Sequence, residues 1–280
     1  MVSRFDFTLG SVEAVVVGRA MDVDVRVFPL RIGNTTVDPV RFAKLARRVY
    51  HDLEERRLSV HGELNRNVRL AFELWGVHRV SVTATGTDVE FGELAVFAAT
   101  DGAQAVVISQ AGGEDTLRFS LMPDEELVRT VAGALPGTNA APGGPLSISH
   151  REDRPRSAMA ALRQAEKEFD EEETEAFESL EVGSLVRARS PAPRRLESDE
   201  ERLEEIFAEP RLGGGYFTAT GTGRHGERRP VPPVTWLDTE SGRYLVQTTT
   251  EGSGTITARY VPAGFADVAE ALRGLISAVY

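Results

Sequence analysis

The residues of this chain that most resemble a chemical motif are three glycines. Gly221, Gly223 and Gly226 have the G-x-G-x-x-G spacing of a dinucleotide-binding loop. Such a loop requires a helix directly after the glycines, because the helix N-terminus holds the pyrophosphate. The segment that follows is Glu227-Arg-Arg-Pro-Val-Pro-Pro233, whose prolines exclude a helix. We therefore interpret the glycines as part of a flexible hairpin loop.

Other side chains that could do chemistry show no suitable spacing either. The five histidines lie in different predicted elements: His51, His61, His78, His150 and His225. A G-x-S-x-G nucleophile motif is missing, and the chain contains no cysteine. The sequence therefore predicts no catalytic residue, cofactor or metal, and we expect the protein not to be an enzyme. A zinc site formed by distant histidines and carboxylates remains the alternative.

Composition favours a globular protein in the cytosol. The chain has 280 residues, of which 41% are hydrophobic and 27% are charged. No signal peptide and no apolar run long enough for a membrane span is visible. The formal net charge of −11 argues against nonspecific nucleic-acid binding, which requires a basic surface.

The acidic residues are concentrated in one stretch. Sixteen of the 43 acidic residues lie between Glu166 and Glu209, and Glu166–Glu178 also contains Phe169 and Phe177. This segment is either a solvated helix face or a helix that docks a partner through its aromatic residues. A calcium loop is not indicated, because the D-x-[DN]-x-[DN]-G pattern is missing. If the segment docks a partner, replacing both phenylalanines with serine should weaken binding without unfolding the protein.

The elements that must position these residues form two similar halves. Each half has the order helix, four strands, helix, and the halves are separated by roughly 130–140 residues. In the first half, Val80, Val82 and Ala84 alternate with polar residues. In the second half, we expect Gly213–Gly215 to end a helix and 223–233 to form a long loop.

Two such halves predict an α+β fold. We expect one pseudo-twofold domain over 1–280, with the sheets of the two halves joined or packed and the helices on the outside. Its N-terminal half spans 1–136, its linker and acidic helix 137–198, and its C-terminal half 199–280. The alternative is an accidental match of two common α+β units. Before the first half, a short helix is expected at 11–19, and Asp38 and Pro39 are expected to begin a longer one.

Several segments, taken together, resemble the EspG family of type VII (ESX) secretion chaperones. The resemblance is strongest in Glu209-Pro-Arg-Leu-Gly-Gly-Gly-Tyr-Phe217, in Gly226-Glu-Arg-Arg-Pro-Val-Pro-Pro233 and in Val234-Thr-Trp-Leu-Asp-Thr-Glu-Ser-Gly-Arg-Tyr-Leu-Val246. In the first half, Phe28-Pro-Leu30 and the Asp101-Gly102 turn are also similar. The resemblance covers nearly the whole chain except the acidic middle, where this sequence is longer and more charged than expected of the family.

The resemblance implies a pseudo-twofold α+β fold with a central, mainly antiparallel β-sheet flanked by helical bundles, and it implies a chaperone function. Members of the family hold the exposed apolar tip of a PPE protein in a PE–PPE heterodimer, which keeps the client soluble and confers system specificity. It implies PE–PPE-like partners for this chain or, in a host without them, other WXG-type helical hairpins. A scaffold or regulatory module without a secretion client is the alternative. The free protein is expected to be a monomer or a homodimer.

The family approaches its client with the sheet, its hairpin loops and the C-terminal helical bundle. Carried onto this sequence, that implies the following partner-binding residues: Ser81, Thr83, Thr85, Thr87, Asp88, Val89, Glu90, Phe169, Phe177, Arg224, His225, Arg228 and Arg229. The loop after Gly86 is short, so it departs from the family's mycobacterial complexes.

The hairpin with the family's hallmark residues also has structural explanations. Gly242 permits a turn, and the side chains of Asp238 and Thr239 can cap that turn by hydrogen bonds. Trp236 and Tyr244 are expected to pack across the two strands.

Overall fold

The computed structural model describes residues 4–151, 198–223, 227–250 and 255–280. In these ranges it contains thirteen strands and six α-helices. The strands are β1 (Phe5–Gly10), β2 (Ser59–Val60), β3 (Glu63–Leu64), β4 (Val80–Asp88), β5 (Gly92–Thr100), β6 (Gln104–Ala111), β7 (Thr116–Pro123), β8 (Leu146–Arg151), β9 (Arg211–Thr222), β10 (Arg228–Pro230), β11 (Val234–Thr239), β12 (Gly242–Thr250) and β13 (Thr255–Pro262). The helices are α1 (Ser11–Ala20), α2 (Pro39–Glu55), α3 (Arg66–Gly76), α4 (Leu127–Ala132), α5 (Asp199–Ala208) and α6 (Phe265–Val279).

Eleven of the strands form one sheet, whose order confirms the duplicated architecture. The order is β1-β7-β6-β5-β4-β9-β11-β12-β13-β8, and β10 pairs with β9 outside this path. The central pair, β4 and β9, is antiparallel and joins the first strand of each half, from Val80 opposite Gly221 to Asp88 opposite Gly213. Outward from this pair, the second, third and fourth strands of each half follow in the same order. The two halves are therefore related by a pseudo-twofold axis through the central strands.

The helices begin where the sequence offers a cap. The Asp38 carboxylate accepts a hydrogen bond from the Arg41 amide at 2.8 Å, and Pro39 occupies the first turn of α2, as predicted. At α5, Ser198 and Glu201 form a reciprocal capping box, with distances of 2.9 and 3.1 Å.

The two faces of the sheet are covered differently. The aliphatic face carries Val80, Val82 and Phe217, and α4 and α6 pack over its centre. We call the other side the hydroxyl face; it carries Ser81, Thr83 and Thr220. Helices α1, α2 and α3 cover one end of the hydroxyl face, and α5 packs on Leu146 and Tyr244 at the other end. The central strands of the hydroxyl face therefore lie between two helical groups and are not covered by either.

The prediction that Gly213–Gly215 ends a helix is wrong. Helix α5 ends at Ala208, and the three glycines lie inside strand β9. Gly215 lies opposite Gly86 of β4, and the Trp236 indole packs over both. Glycine is required there because a Cβ on Gly215 would lie 2.5 Å from an atom of the Trp236 ring. The local sequence shows the glycines but not the indole that occupies the space above them.

Other departures concern short or peripheral elements. The segment expected to be a long loop at 223–233 contains β10, and the edge strands β1 and β8 were not expected. The turn after Thr100 has three residues, of which Gly102 has a positive φ of 95°. Among the helices of the described ranges, none is long and apolar enough to cross a membrane.

Candidate functional site

A cleft of about 1080 Å³ lies on the hydroxyl face. Ser81 and Thr83 of β4 form its floor together with Thr220 and Thr222 of β9. Its wall consists of the segment Met21–Phe28 and the C-terminal end of α3. The cleft thus lies on the central strand pair, where the two halves of the protein meet.

The floor of the cleft is polar because hydroxyl residues of the two central strands face each other. Ser81 lies opposite Thr220, and Thr83 lies opposite Thr218. Next along the strands, Thr85 lies opposite Tyr216. The serine and the threonines of these pairs are half-buried, and the Thr218 hydroxyl donates a hydrogen bond to the Val231 carbonyl at 3.0 Å. Such a surface offers both donors and acceptors to a partner.

Apolar side chains are exposed on both sides of this polar strip. Phe28 and Val77 border the cleft on the α3 side, and their exposed fractions are 60% and 82%. On the α5 side, Phe207 is 55% exposed and packs edge-on against Tyr260, with ring centroids 5.6 Å apart. A polar strip with apolar edges suits the surface of an amphipathic helical partner, which presents both kinds of side chain.

His78 is the titratable group most affected by this environment. Its Nδ1 lies 3.1 Å from the Leu74 carbonyl, and its ring packs edge-on against Phe97. Burial lowers the pKa of His78 below its ordinary value, and the positive charge of Arg228 lowers it further, whereas backbone hydrogen bonding at Leu74 and Trp75 opposes the shift. The imidazole is therefore kept neutral at neutral pH.

Stability should consequently fall on mild acidification. Between pH ~6.5 and the lower pKa of folded His78, the unfolded chain binds more protons than the folded chain, so the free energy of unfolding decreases as pH falls. We expect His78→Gln to reduce this loss, measured by urea unfolding at several pH values. The control is His51→Gln, because His51 is exposed on α2. Equal pH dependence of the wild type and His78→Gln would contradict the prediction.

The structure brings together only some of the sequence-predicted site residues. Ser81, Thr83 and Arg228 line the cleft, and Thr85 lies one position further along the hydroxyl face. Arg229 follows Arg228 in β10, and its guanidinium lies 2.9 Å from the Glu227 carboxylate.

The predicted loop residues lie at the other end of β4, roughly 25 Å along the strand from Ser81. Thr87 and Asp88 are strand residues rather than loop residues, so the turn itself comprises 89–91. The Asp88 carboxylate accepts hydrogen bonds from the amides of Glu90 and Phe91, both at 2.9 Å. The turn exposes Val89 as well as Phe91. Phe169, Phe177, Arg224 and His225 lie outside the described residues.

The sequence analysis did not predict the residues of β9 that form half of the cleft floor. Tyr216, Thr218, Thr220 and Thr222 alternate with buried Phe217 and Ala219, as Ser81 and Thr83 alternate with valines. This alternation was available as a signal. The pairing of β9 with β4 was not, and the pairing is what places the two rows side by side.

The hallmark hairpin of β11 and β12 has a different internal structure from the expected one. Asp238 does not cap the turn; its carboxylate forms two 2.7 Å hydrogen bonds with the Arg243 guanidinium, and both side chains are buried. The Thr239 hydroxyl donates to the Gly242 carbonyl at 3.3 Å. Trp236 lies opposite Leu245, so Trp236 and Tyr244 point to opposite faces and do not pack together. The hairpin thus has a structural role. Separately, the described residues contain no group of three or more histidine, aspartate or glutamate side chains that could hold a metal ion.

Comparison with known proteins agrees with this fold. The model of the EspG family (ESX-1_EspG) matches residues 11–274. No curated protein matches. Among solved structures, the chain is similar to EspG5, a type VII secretion system chaperone of Mycobacterium tuberculosis in complex with a PE25–PPE41 dimer. The TM-score is 0.62 at 12% sequence identity, over 98% of this chain and 96% of EspG5, which shows a shared fold.

Proposed function

Because this chain belongs to the EspG family, we propose that it is a chaperone of a type VII (ESX) secretion system that binds PE–PPE-like dimers in the cytosol. The observation that carries this proposal is the centre of the hydroxyl face, which lies between two helical groups and is covered by no helix of the described residues. The similar fold of EspG5, which has been solved with a PE25–PPE41 dimer, supports the choice of client class.

The binding surface we propose extends from the cleft along the hydroxyl face to the far end of β4 and the β4–β5 turn. The cleft contributes Ser81, Thr83 and Arg228, and Thr85 and Arg229 lie next to them along β4 and β10. The end of β4 contributes Thr87 and Asp88, and the turn contributes Val89 and Glu90. The exposed apolar residues at its borders bury the client's apolar tip, and the polar floor selects the client by hydrogen bonds. This function requires no bond making, and we propose that the whole chain acts as one non-enzymatic unit.

A direct test is copurification of tagged protein with PE–PPE pairs coexpressed from the native host. We expect one pair to be recovered in stoichiometric amount and to bind in a calorimetric titration. Failure to recover any PE–PPE or WXG-type pair, from a host that expresses its ESX system, would contradict the proposed function.

The site is tested separately by filling the floor of the cleft. Thr83→Arg and Thr220→Arg each place a long, charged side chain on half-buried positions, so we expect each to weaken client binding by about tenfold or more. The control is Thr8→Arg, because Thr8 is exposed on the edge strand β1, between the inward-facing Phe7 and Leu9. Unchanged affinity in both floor variants would show that the client does not bind in the cleft.

A further inference from the structure

Helix α2 carries a basic patch on its outer side. We define the patch by four exposed cations, Arg41, Lys44, Arg47 and Arg48. Their spacing of three, four and seven residues places them at neighbouring positions on one side of the helix. The opposite side carries Val49 and Leu53, which belong to the core. No acidic residue occurs between Asp38 and Asp52, although the chain has a formal net charge of −11.

The patch is not neutralised within the parts of the chain that the structure describes. None of the ion pairs formed there includes a cation of the patch. Glu54 and Glu55 lie about 15 Å from the centre of the patch along the helix axis, which exceeds the screening length of ~8–10 Å. A further cation lies beside the patch, because the Arg19 guanidinium stacks on the Phe42 ring at 4.3 Å. The patch therefore produces a local positive potential on an acidic protein.

The order of charges along α2 is the reverse of the order that stabilises a helix. The helix dipole favours acidic residues in the first turn and basic residues in the last turn. Apart from its N-cap Asp38, α2 has no acidic residue in its first turn, and it has no basic residue in its last turn. Like charges three or four residues apart, such as those of Lys44 and Arg48, also repel each other. The patch thus opposes the stability of its own helix, so a binding function explains it better than a structural one.

Exposed apolar side chains lie at the N-terminal end of the patch. Val37 and Val40 are 90% and 66% exposed. Val40 precedes Lys44 by four residues and Arg47 by seven, so it lies on the same side of the helix. An anionic bilayer offers a plane of phosphates to the cations and, just below it, an apolar layer to the valines. Duplex nucleic acid offers phosphates without an apolar layer, so the valines favour a bilayer.

We propose that the basic patch of α2 binds the surface of an anionic lipid bilayer. The helix lies along the plane of the headgroups, with its cations at the phosphates and Val37 and Val40 below them. The helix does not insert, because its apolar side packs in the core of the protein. Exposed charges are screened by salt, so binding is weak, reversible and salt-dependent. The patch does not line the cleft, so the protein can hold a client while it is bound to the bilayer; this last clause rests on the proposed function.

The test is sedimentation of the full chain with lipid vesicles in the absence of client. One set of vesicles contains about 30% phosphatidylglycerol in phosphatidylcholine, and the other contains phosphatidylcholine alone. We expect the wild type to bind the anionic vesicles at ~50 mM salt and to bind them about tenfold or more weakly at ~500 mM salt. We expect no binding to the neutral vesicles.

Two variants with the same change in charge locate the binding surface. The patch variant carries Arg41→Gln, Lys44→Gln, Arg47→Gln and Arg48→Gln. The control variant changes four arginines that are exposed on four different elements, and it carries Arg118→Gln, Arg129→Gln, Arg259→Gln and Arg273→Gln. Each cation near an anionic surface strengthens binding roughly fivefold, so we expect the patch variant to bind at least about tenfold more weakly than the wild type. The control variant should bind within about twofold of the wild type, because charges beyond the screening length act weakly.

Thermal unfolding separates binding from folding. The patch variant should be at least as stable as the wild type, because it removes repulsion and an unfavourable interaction with the helix dipole. A patch variant less stable than the wild type would show that the cations serve the fold and would overturn the proposal.

The proposal would also be overturned by a wild type that does not bind the anionic vesicles, or by a patch variant that binds them as tightly as the control variant. A wild type that binds duplex DNA or poly-glutamate but not the vesicles would overturn it too, because the patch would then serve another class of partner. Because no client is present, these outcomes are independent of whether the chaperone function is correct.

Discussion

Replacing Arg243 with alanine is expected to lower the free energy of unfolding by about 3–5 kcal/mol, because it leaves the Asp238 carboxylate buried without its counter-charge. The two side chains are 3% and 1% exposed. Their bidentate pairing, with both distances 2.7 Å, replaces the water that each charge loses on folding.

Arg243 also holds the connection between the two halves. Its guanidinium donates a hydrogen bond to the Pro136 carbonyl at 2.8 Å. Its backbone amide donates to the Asn139 carbonyl, and its carbonyl accepts from the amides of Ala141 and Ala263. The Thr138 hydroxyl completes the arrangement by donating to Asp238 at 3.2 Å. Losing the guanidinium therefore removes the hydrogen bond to the Pro136 carbonyl as well as the positive charge beside Asp238.

Urea unfolding of the wild type, Arg243→Ala and an exposed control measures this effect. The control is Arg118→Ala, because Arg118 pairs with Glu114 on the surface, where such pairs contribute about 1 kcal/mol or less. The double variant Asp238→Leu/Arg243→Met removes both charges while keeping similar volume, and it should recover much of the loss. A loss in Arg243→Ala no larger than in Arg118→Ala would show that the pair is unimportant for stability.

Gly215→Ala is expected to be the most damaging single-methyl addition in the sheet, at about 3 kcal/mol or more. A Cβ at this position would lie 2.1 Å from the Thr85 carbonyl oxygen and 2.6 Å from the Gly86 Cα. Both contacts are with the backbone of the neighbouring strand, which cannot rotate away as a side chain can. The Trp236 ring, which is stacked on Phe217, closes the remaining side.

The matched control makes the same substitution where space is open. Gly274 lies within α6, and a Cβ there meets no atom within 4 Å. Gly274→Ala is expected to stabilise the protein by roughly 0.5–1 kcal/mol, because alanine favours helix more than glycine does. Thermal unfolding compares the two variants, and a Gly215→Ala protein as stable as the wild type would refute the close approach of β4, β9 and Trp236.

The sequence correctly predicted those strands, helix starts and repeats that depend on local periodicity. Alternation identified the β4 strand and its polar side, and Asp38 with Pro39 identified the start of α2. The repeated order of elements indicated the duplication, because each half repeats the same pattern of helical and strand periodicities. The local sequence could not show that Gly213–Gly215 lie inside a strand. A run of glycines can end a helix, or it can leave space for a large side chain such as the Trp236 indole.

The chain's sequence by itself determined the order of the four main strands and the flanking helices in each half, the duplication and the family. The tertiary structure alone decided which residues meet in the cleft and at the Asp238–Arg243 pair. Ser81 and Thr220 are far apart in the chain, and only the pairing of β4 with β9 places their hydroxyl rows side by side. The alternation of side chains along a strand shows that the sheet has two different faces. It does not show which face the helices cover, because that depends on how distant elements pack. Within the described ranges, the centre of the hydroxyl face stays open because of that packing: α4 and α6 cover the opposite face, whereas α1, α2, α3 and α5 cover only the ends of the hydroxyl face.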